Sequence, residues 1–345
     1  MLKRIAKPNL ITFLFVISSI LSCEHMVDVE KTNSKFGIYF LKDSTIKIDD
    51  IIDVYIDKLN LKEEPWISEK DIEFYDWSSH YIYFRTNKTN FFPNIELYYQ
   101  YSENLASKPF VIASGKQKCY LGYFSAIQSK TIPLAYIDEM AVGYYPSDIL
   151  PIQWSFIFTE DLRNNETIKN TLKESGIYRR GINILLDSLW INNKDTTTIT
   201  YNLKFKNHDI ENLYVFDPLK CGEKVYSYFN IAPSIKSLST GKIYNAKLQT
   251  KVDYTDTPIW NSNWYTLISS GEEIVRKIKL KGYEFLDVGD YLIEIPFSTP
   301  VRIDRNNRII EDGKYWLGTT KTSANQFTIN SVELNHKQLI KFIRR

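Results

Sequence analysis

A mainly β protein is what this sequence predicts, an α+β segment followed by an antiparallel β-sandwich, and three observations carry the prediction. Sheet-favouring aromatics are abundant, with 24 Tyr, 19 Phe and 7 Trp making up 14% of 345 residues. Apolar runs are short, alternate with polar residues and end at Asn, Asp, Ser, Gly or Pro. Helical spacing of apolar residues shows clearly in only two stretches. With 43% hydrophobic and 24% charged residues, the chain can bury ordinary cores, which excludes wholesale disorder, collagen and coiled coil. Its length suits two domains.

The first element is a leader. Lys3, Arg4 and Lys7 precede an apolar run, Leu10 to Leu21, and then Ser22-Cys23. A basic head, a short greasy stretch and a small residue before the cut describe a secretory signal peptide. The run has 12 residues, and spanning a bilayer takes about 20. Ile20-Leu21-Ser22-Cys23 resembles the lipobox of bacterial lipoproteins, although a small residue more commonly stands where Leu21 is. That resemblance implies that residues 1–22 are removed, that the Cys23 thiol takes a diacylglycerol, and that the new amino group is acylated, typically with palmitate. Several acyl chains, at about 0.8 kcal/mol per buried methylene, then hold the chain on a membrane. Composition and signal together resemble outer-membrane lipoproteins of the Bacteroidota. Residues 23–35 read as a lipidated polar tether. The leader carries three basic and no acidic residues, so 40 basic and 41 acidic residues remain, a formal charge of −1. No positive excess is left to attract nucleic acid.

Residues 36–177 read as an α+β domain with no resemblance to a known family. Phe36–Leu41 is a short apolar strand. Ile48, Ile51, Ile52, Tyr55, Ile56 and Leu59 fall at helical spacing with Asp between them, which predicts one amphipathic helix with a solvated acidic face. Ile72 and Phe74, then Tyr81 and Tyr83, alternate around Asp76-Trp77-Ser78-Ser79, a turn. A second hairpin turns at Ser114-Gly115-Lys116. The segment 151–158 (PIQWSFIF) reads as another strand. The stretch 161–176 reads as a helix whose apolar face includes Ile168 and Leu172, ending at Gly176.

Residues 178–345 read as a sandwich with a C-terminal extension. Strands are expected at 182–191, 196–206, 211–217, 224–231, 243–252, 273–280 and 289–297. In 196–206, Ile199, Tyr201, Leu203 and Phe205 share one phase and face a core. In the tail from 300, 304–318 (DRNNRIIEDGKYWLG) reads as a polar turn flanking one more strand, and 326–345 either closes a sheet or ends in a short basic helix. Asn202–Asn207, Ser270–Glu273 and Gly289-Asp290-Tyr291 resemble phrases of immunoglobulin-like β-sandwich domains of bacterial envelope proteins. The first matches a strand ending in Asn, the second a turn, and the third a strand entry akin to a tyrosine corner. That resemblance covers 182–297 and implies architecture alone.

No catalytic motif stands out. Nucleotide loops, GxSxG and HExxH are absent, and no His, Cys or carboxylate spacing suits a metal, so no cofactor is expected. Asp76-Trp77-Ser78-Ser79-His80 gathers an acid, two hydroxyls and an imidazole. Catalytic triads, however, assemble from distant segments, and a turn whose Asp and Ser cap their own backbone explains the same residues. An oxidising compartment permits a disulfide between Cys119 and Cys221, with two independent thiols as the other reading. Aromatic, polar loops suit stacking on sugars or protein anchoring. Trp260, Trp264 and Tyr265 in the 259–265 loop, and Trp77 second, are the candidate ligand or partner surface. The expected function is therefore a non-catalytic, membrane-anchored binding or assembly module of the cell envelope, periplasmic or surface-facing, whose partners are envelope proteins or glycans. An extracytoplasmic hydrolase with an accessory sandwich is the alternative.

Overall fold

Alternating apolar side chains can bury one face of a strand while the other stays wet, as in residues 135–138, 197–207 and 325–329, whereas 81–84 and 109–114 are buried on both faces. The computed structural model describes residues 36–87, 90–92, 105–125, 134–138, 145–146, 148–154, 158–193, 197–221, 228, 230–247, 262–299, 314–330 and 337–341. The described residues are mainly β, as the sequence predicts. None of their helices is long and apolar enough to cross a membrane. The described residues pack as one compact unit.

The first half holds β1 (Phe36–Phe40), β2 (Ile67–Ser68), β3 (Ile72–Asp76), β4 (Tyr81–Phe84), β5 (Pro109–Ser114), β6 (Gln117–Ser125), β7 (Ala135–Asp138), β8 (Ile149–Pro151) and β9 (Tyr178–Arg179). Two sheets result, ordered β2-β1-β5-β6-β7 and β8-β4-β3-β9. They share one core in which Phe36, Ile38, Ile112 and Phe124 of the first meet Ile72, Tyr75 and Ile82 of the second. Helix α2 (Glu166–Glu174), which follows α1 (Ile48–Ile51), lays Ile168 and Leu172 on that core. Each of these two side chains contributes roughly 1.5–3 kcal/mol by burial. Asn165 caps α2 by accepting from the Ile168 N–H at 3.2 Å, and Gly176 ends it at φ +71°.

Both hairpins form where the turns predict them, β3–β4 through residues 77–80 and β5–β6 through Gly115 at φ +56°. The expected amphipathic helix does not. Only Ile48–Ile51 is α-helical, and Ile56–Lys58 is a 3-10 turn. Four β-branched residues between 51 and 56 and the interspersed Asp residues are poor helix formers. The end of the segment is claimed by other partners, since the Lys118 ammonium donates to the carbonyls of Asp57 and Leu59 and a bridge joins Leu41 to Leu61. Tyr55 consequently points into solvent. The strand expected at 151–158 is shorter and earlier, as β8, and residues 155–157 lie outside the described residues.

The second half contributes β10 (Ile182–Asn193), β11 (Thr197–Asn207), β12 (Leu213–Phe216), β13 (Ser234–Ser237), β14 (Ile243–Tyr244), β15 (Tyr265–Ile268) and β16 (Glu273–Tyr283). It continues with β17 (Gly289–Glu294), β18 (Pro296–Ser298), β19 (Lys314–Tyr315), β20 (Thr319–Lys321), β21 (Asn325–Ile329) and β22 (Lys337–Lys341), and α3 (Pro218–Cys221) follows β12. The sheets run β16-β11-β10-β22, β15-β12-β19, β14-β13-β17-β21 and β18-β20. Strand β11 alternates strictly, with Ile199, Tyr201, Leu203 and Phe205 buried. They join Val215, Ile293, Phe297 and Trp316 in a second core.

Asn207 ends β11 fully buried. Its amide donates to the carbonyls of Glu211 and Ile268, and its Oδ1 accepts from the Asp209 N–H. The Tyr291 hydroxyl donates to the Asp287 carbonyl at 2.9 Å. The tail closes a sheet, because β22 pairs antiparallel with β10. Strands β13 and β15 were not anticipated. The one expected at 224–231 falls largely outside the described residues, as does most of 243–252 beyond β14.

Candidate functional site

The residues after β3 make a turn that closes on itself. Asp76 Oδ1 accepts the N–H groups of Ser78 and Ser79 at 2.8 and 3.2 Å and the Ser78 hydroxyl at 2.6 Å. This is the self-capping an Asp two residues before Ser favours. The same Ser78 hydroxyl oxygen accepts the Ile182 N–H at 3.1 Å and the Trp316 indole N–H at 2.9 Å. One side chain therefore ties the first half to the start of β10 and to an indole buried in the second core. The joint is close: a Cβ at Gly181, held at φ +69°, would strike Ser78 Oγ and Asp76 Oδ1, and one at Gly318 would strike the Trp316 ring and Ser79. Burial pushes the Asp76 carboxyl up to about 6, against the hydrogen bonds from Ser78 and Ser79 that favour its charged form.

His80 completes the turn at φ 58° and is 3% exposed. Its Nδ1 lies 3.1 Å from the Tyr75 hydroxyl and its Nε2 3.3 Å from Asn164 Oδ1. Burial first, and the nearby Arg163 guanidinium second, push the imidazole down to about 3, so it is neutral. Asn164 Oδ1 only accepts, so Nε2 carries the proton and Tyr75 donates to Nδ1. Burial holds the Tyr75 hydroxyl far above its ordinary value. Arg163, itself buried, grips the Asp161 carboxylate through Nε and Nη2 at 2.6–3.2 Å and donates from Nη1 to the Ile152 carbonyl at 2.5 Å. Burial raises Asp161, and Arg163 outweighs it, leaving that carboxyl below its ordinary value.

Beside this turn a cleft of about 1250 Å³ opens between the two halves. Trp77, Lys169, Lys173, Tyr178 and Arg180 line it from one side, and Glu294, Thr319, Thr320, Lys321 and Ser323 from the other. The Trp77 and Tyr178 rings lie 6.0 Å apart, with Lys169 over the former at 5.6 Å and Lys173 over the latter at 5.4 Å. Glu294 pairs with Lys321 at 2.8 Å and accepts the Phe158 N–H at 2.6 Å. Phe158 stands at φ 58°, a conformation bulky side chains rarely adopt.

Both carboxylates of the cleft are thus spent on cations, and Arg163 and Lys321 are neutralised in return. Lys169 shares its charge with the largely exposed Glu166 at 2.7 Å. Lys173 and Arg180 have no carboxylate partner among the described residues, so the α2–β9 side is positive. Two groups there respond to it. His208 is pulled down by burial and by Arg180 and Lys206, while on Tyr178 burial raises the hydroxyl against Lys169 and Arg180.

Of the residues singled out from sequence, Trp77 lines the cleft. Tyr265 does not serve a surface. It is 3% exposed in the second core, edge-on to Tyr315 at 4.9 Å, because it opens β15 with its side chain on the inward face. Trp264 is half-buried against the same core, in the 3-10 turn Ser262–Trp264. Trp260 and Cys23 lie outside the described residues. No disulfide joins Cys119 and Cys221; the former packs against the first core and the latter is buried in the second. No group of three His, Cys, Asp or Glu among the described residues could hold a metal ion. Sequence reasoning missed Lys169, Lys173, Tyr178, Arg180 and Lys321. The first two, four apart on one helix face, were the visible signal. No protein-family model matches the chain, and no curated protein matches it.

Proposed function

We propose that the chain is a membrane-anchored lipoprotein of a bacterial envelope, held in the outer membrane through Cys23, and that its folded part binds a ligand in the cleft without transforming it. One observation carries the binding reading. The groups that general acid–base chemistry would use there are committed, with Asp161 to Arg163, Glu294 to Lys321, and the neutral His80 spending both nitrogens on Tyr75 and Asn164. The Tyr291–Asp287 bond is the contact a tyrosine corner makes, and it supports an immunoglobulin-like second half. The leader and the lipobox-like Ile20–Cys23 support the anchor.

Two measurements test this. Labelled palmitate should enter the wild type and not Cys23→Ser; an unlabelled wild type that keeps residues 1–22 refutes the anchor. The mature protein, equilibrated with envelope oligosaccharides and peptides and then washed, should release its ligand at unchanged mass. New reducing ends or new amino termini establish the hydrolase instead.

A further inference from the structure

The composition of the cleft's lining narrows what can bind there. The α2–β9 side combines two half-exposed aromatic rings with cations that no carboxylate in the cleft neutralises. The other side offers hydroxyls, among them Thr320 and Ser323. Aromatic rings favour flat, weakly polar faces, side-chain hydroxyls both donate and accept, and an arginine fork matches a carboxylate. A ligand meeting all three is ring-shaped, polyhydroxylated and anionic. Ligand pockets commonly measure roughly 300–1,000 Å³, so a cleft of about 1250 Å³ has room for several rings.

We propose that the cleft takes an acidic oligosaccharide, a chain of uronic-acid-type sugars with one ring against Trp77 and Tyr178, a carboxylate at Arg180 and Lys173, and hydroxyls at Thr320 and Ser323. This deepens the binding reading and rests on it. Nucleic acid fits less well, because the mature chain is slightly acidic and the cationic patch is one short side of a cleft, not a stripe along the surface. His208 at the cleft is lowered first by burial and then by Arg180 and Lys206, and the second contribution agrees with an anionic guest.

The test is calorimetry and tryptophan fluorescence on the mature protein with a panel of oligogalacturonate, oligoalginate and glucuronate oligosaccharides. The controls are the methyl esters of the same chains, inorganic polyphosphate and a single-stranded oligonucleotide. At least one acid should bind, with its ester about tenfold weaker, as loss of a charge-assisted contact implies. Arg180→Gln and Lys173→Gln should each weaken the acid severalfold without changing thermal unfolding. Ala324→Trp, which fills the cleft from an exposed position, should abolish binding.

The inference is overturned if no acid binds, if polyphosphate or the oligonucleotide binds as well as the acids, or if Arg180→Gln binds normally. Esters that match their acids, yet are lost in Ala324→Trp, overturn the anionic inference while the cleft keeps its binding role. Binding that survives Ala324→Trp removes the cleft from both.

Discussion

Asp76 and His80 sit four residues apart in one buried turn, and burial moves their proton affinities in opposite directions. Unfolded, the acid has its ordinary value of 3.8 and the imidazole 6.5; folded, they stand at about 6 and about 3. Between pH 6 and 4 the unfolded chain holds its proton on His80 and the folded chain holds one on Asp76. The numbers of bound protons match, so the pair contributes almost no pH slope. Taken singly, the depressed His80 contributes stability that is lost as pH falls below 6.5. The raised Asp76 carries a penalty that appears as pH rises from 3.8 through 6. Asp76→Asn keeps an Oδ1 acceptor for Ser78 and Ser79 and removes the titration. The difference in unfolding free energy between variant and wild type should therefore shift by about 2.5 kcal/mol between pH 7 and pH 4, a window that captures most of the roughly two-unit displacement at 1.36 kcal/mol per unit. The shift favours the variant at pH 7. Any packing cost of the amide is pH-independent and cancels from this difference. Urea unfolding of both proteins at pH 7, 6, 5 and 4 measures it. A constant offset would refute the reasoning. An offset that grows in the variant's favour on acidification would mean that the joint stabilises the ionised carboxylate.

Further outcomes follow from the same geometry. Ser78→Ala leaves the Trp316 and Ile182 N–H groups without their acceptor and should cost about 2–4 kcal/mol; a loss under about 0.5 kcal/mol in denaturant titration contradicts the joint. Gly181→Ala combines a positive φ with a collision against Ser78 and Asp76, so it should destabilise more than Gly176→Ala, whose Cβ would meet nothing. Arg163→Met strands Asp161 and should cost about 3–5 kcal/mol, as removing one partner of a buried pair does. Asn165→Ala removes the α2 cap at about 1 kcal/mol, and thermal unfolding ranks all five variants.

What could be read from sequence was whatever depends on neighbours in the chain. The alternation in β11, the Ser114–Lys116 turn and the self-capping of Asp76 are set within a dozen residues, and each forms as the pattern indicates; the helix expected at 161–176 forms too, but starts only at Glu166, where Asn165 caps it. The failure at 48–59 has the same root. Its periodicity is genuine, but Leu59 and Leu61 are claimed from afar, by Lys118 and Leu41. Strand β9 has only two residues, and it exists because Tyr75 and Asp76 offer it a parallel edge about 100 positions earlier. Tyr265 shows the limit for sites. A Trp-rich, Asn-rich loop looks exposed, and only the pairing of β15 with β12 reveals that the tyrosine points inward. The cleft is the extreme case, because Arg180 and Thr320 come to the same space only through the joint.

That dependence couples the joint to the cleft. The bonds made by Ser78 span 104 residues to Ile182 and 238 to Trp316. Their closure entropy grows only logarithmically, so the longer one costs less than about 1 kcal/mol more than the shorter, and both become favourable once each half has built its own core. Leu317 also packs against Tyr81, Tyr83 and Ile149 across the joint, so the joint closes as a unit, and opening it would remove the cleft while leaving pairings within each half, such as β5–β6 and β10–β11. A ligand that touches Arg180 on one side and Thr320 on the other binds only the closed form. At a hundred times its dissociation constant it stabilises that form by about 2.7 kcal/mol. By the same linkage, weakening the joint by an amount that populates the open form lowers apparent affinity in proportion to the fraction left closed. Ser78→Ala, at a position that lines the cleft with its hydroxyl already bonded to Asp76, Ile182 and Trp316, should then bind more weakly in step with its loss of joint stability, and Asn165→Ala, which uncaps α2, should not show that proportionality.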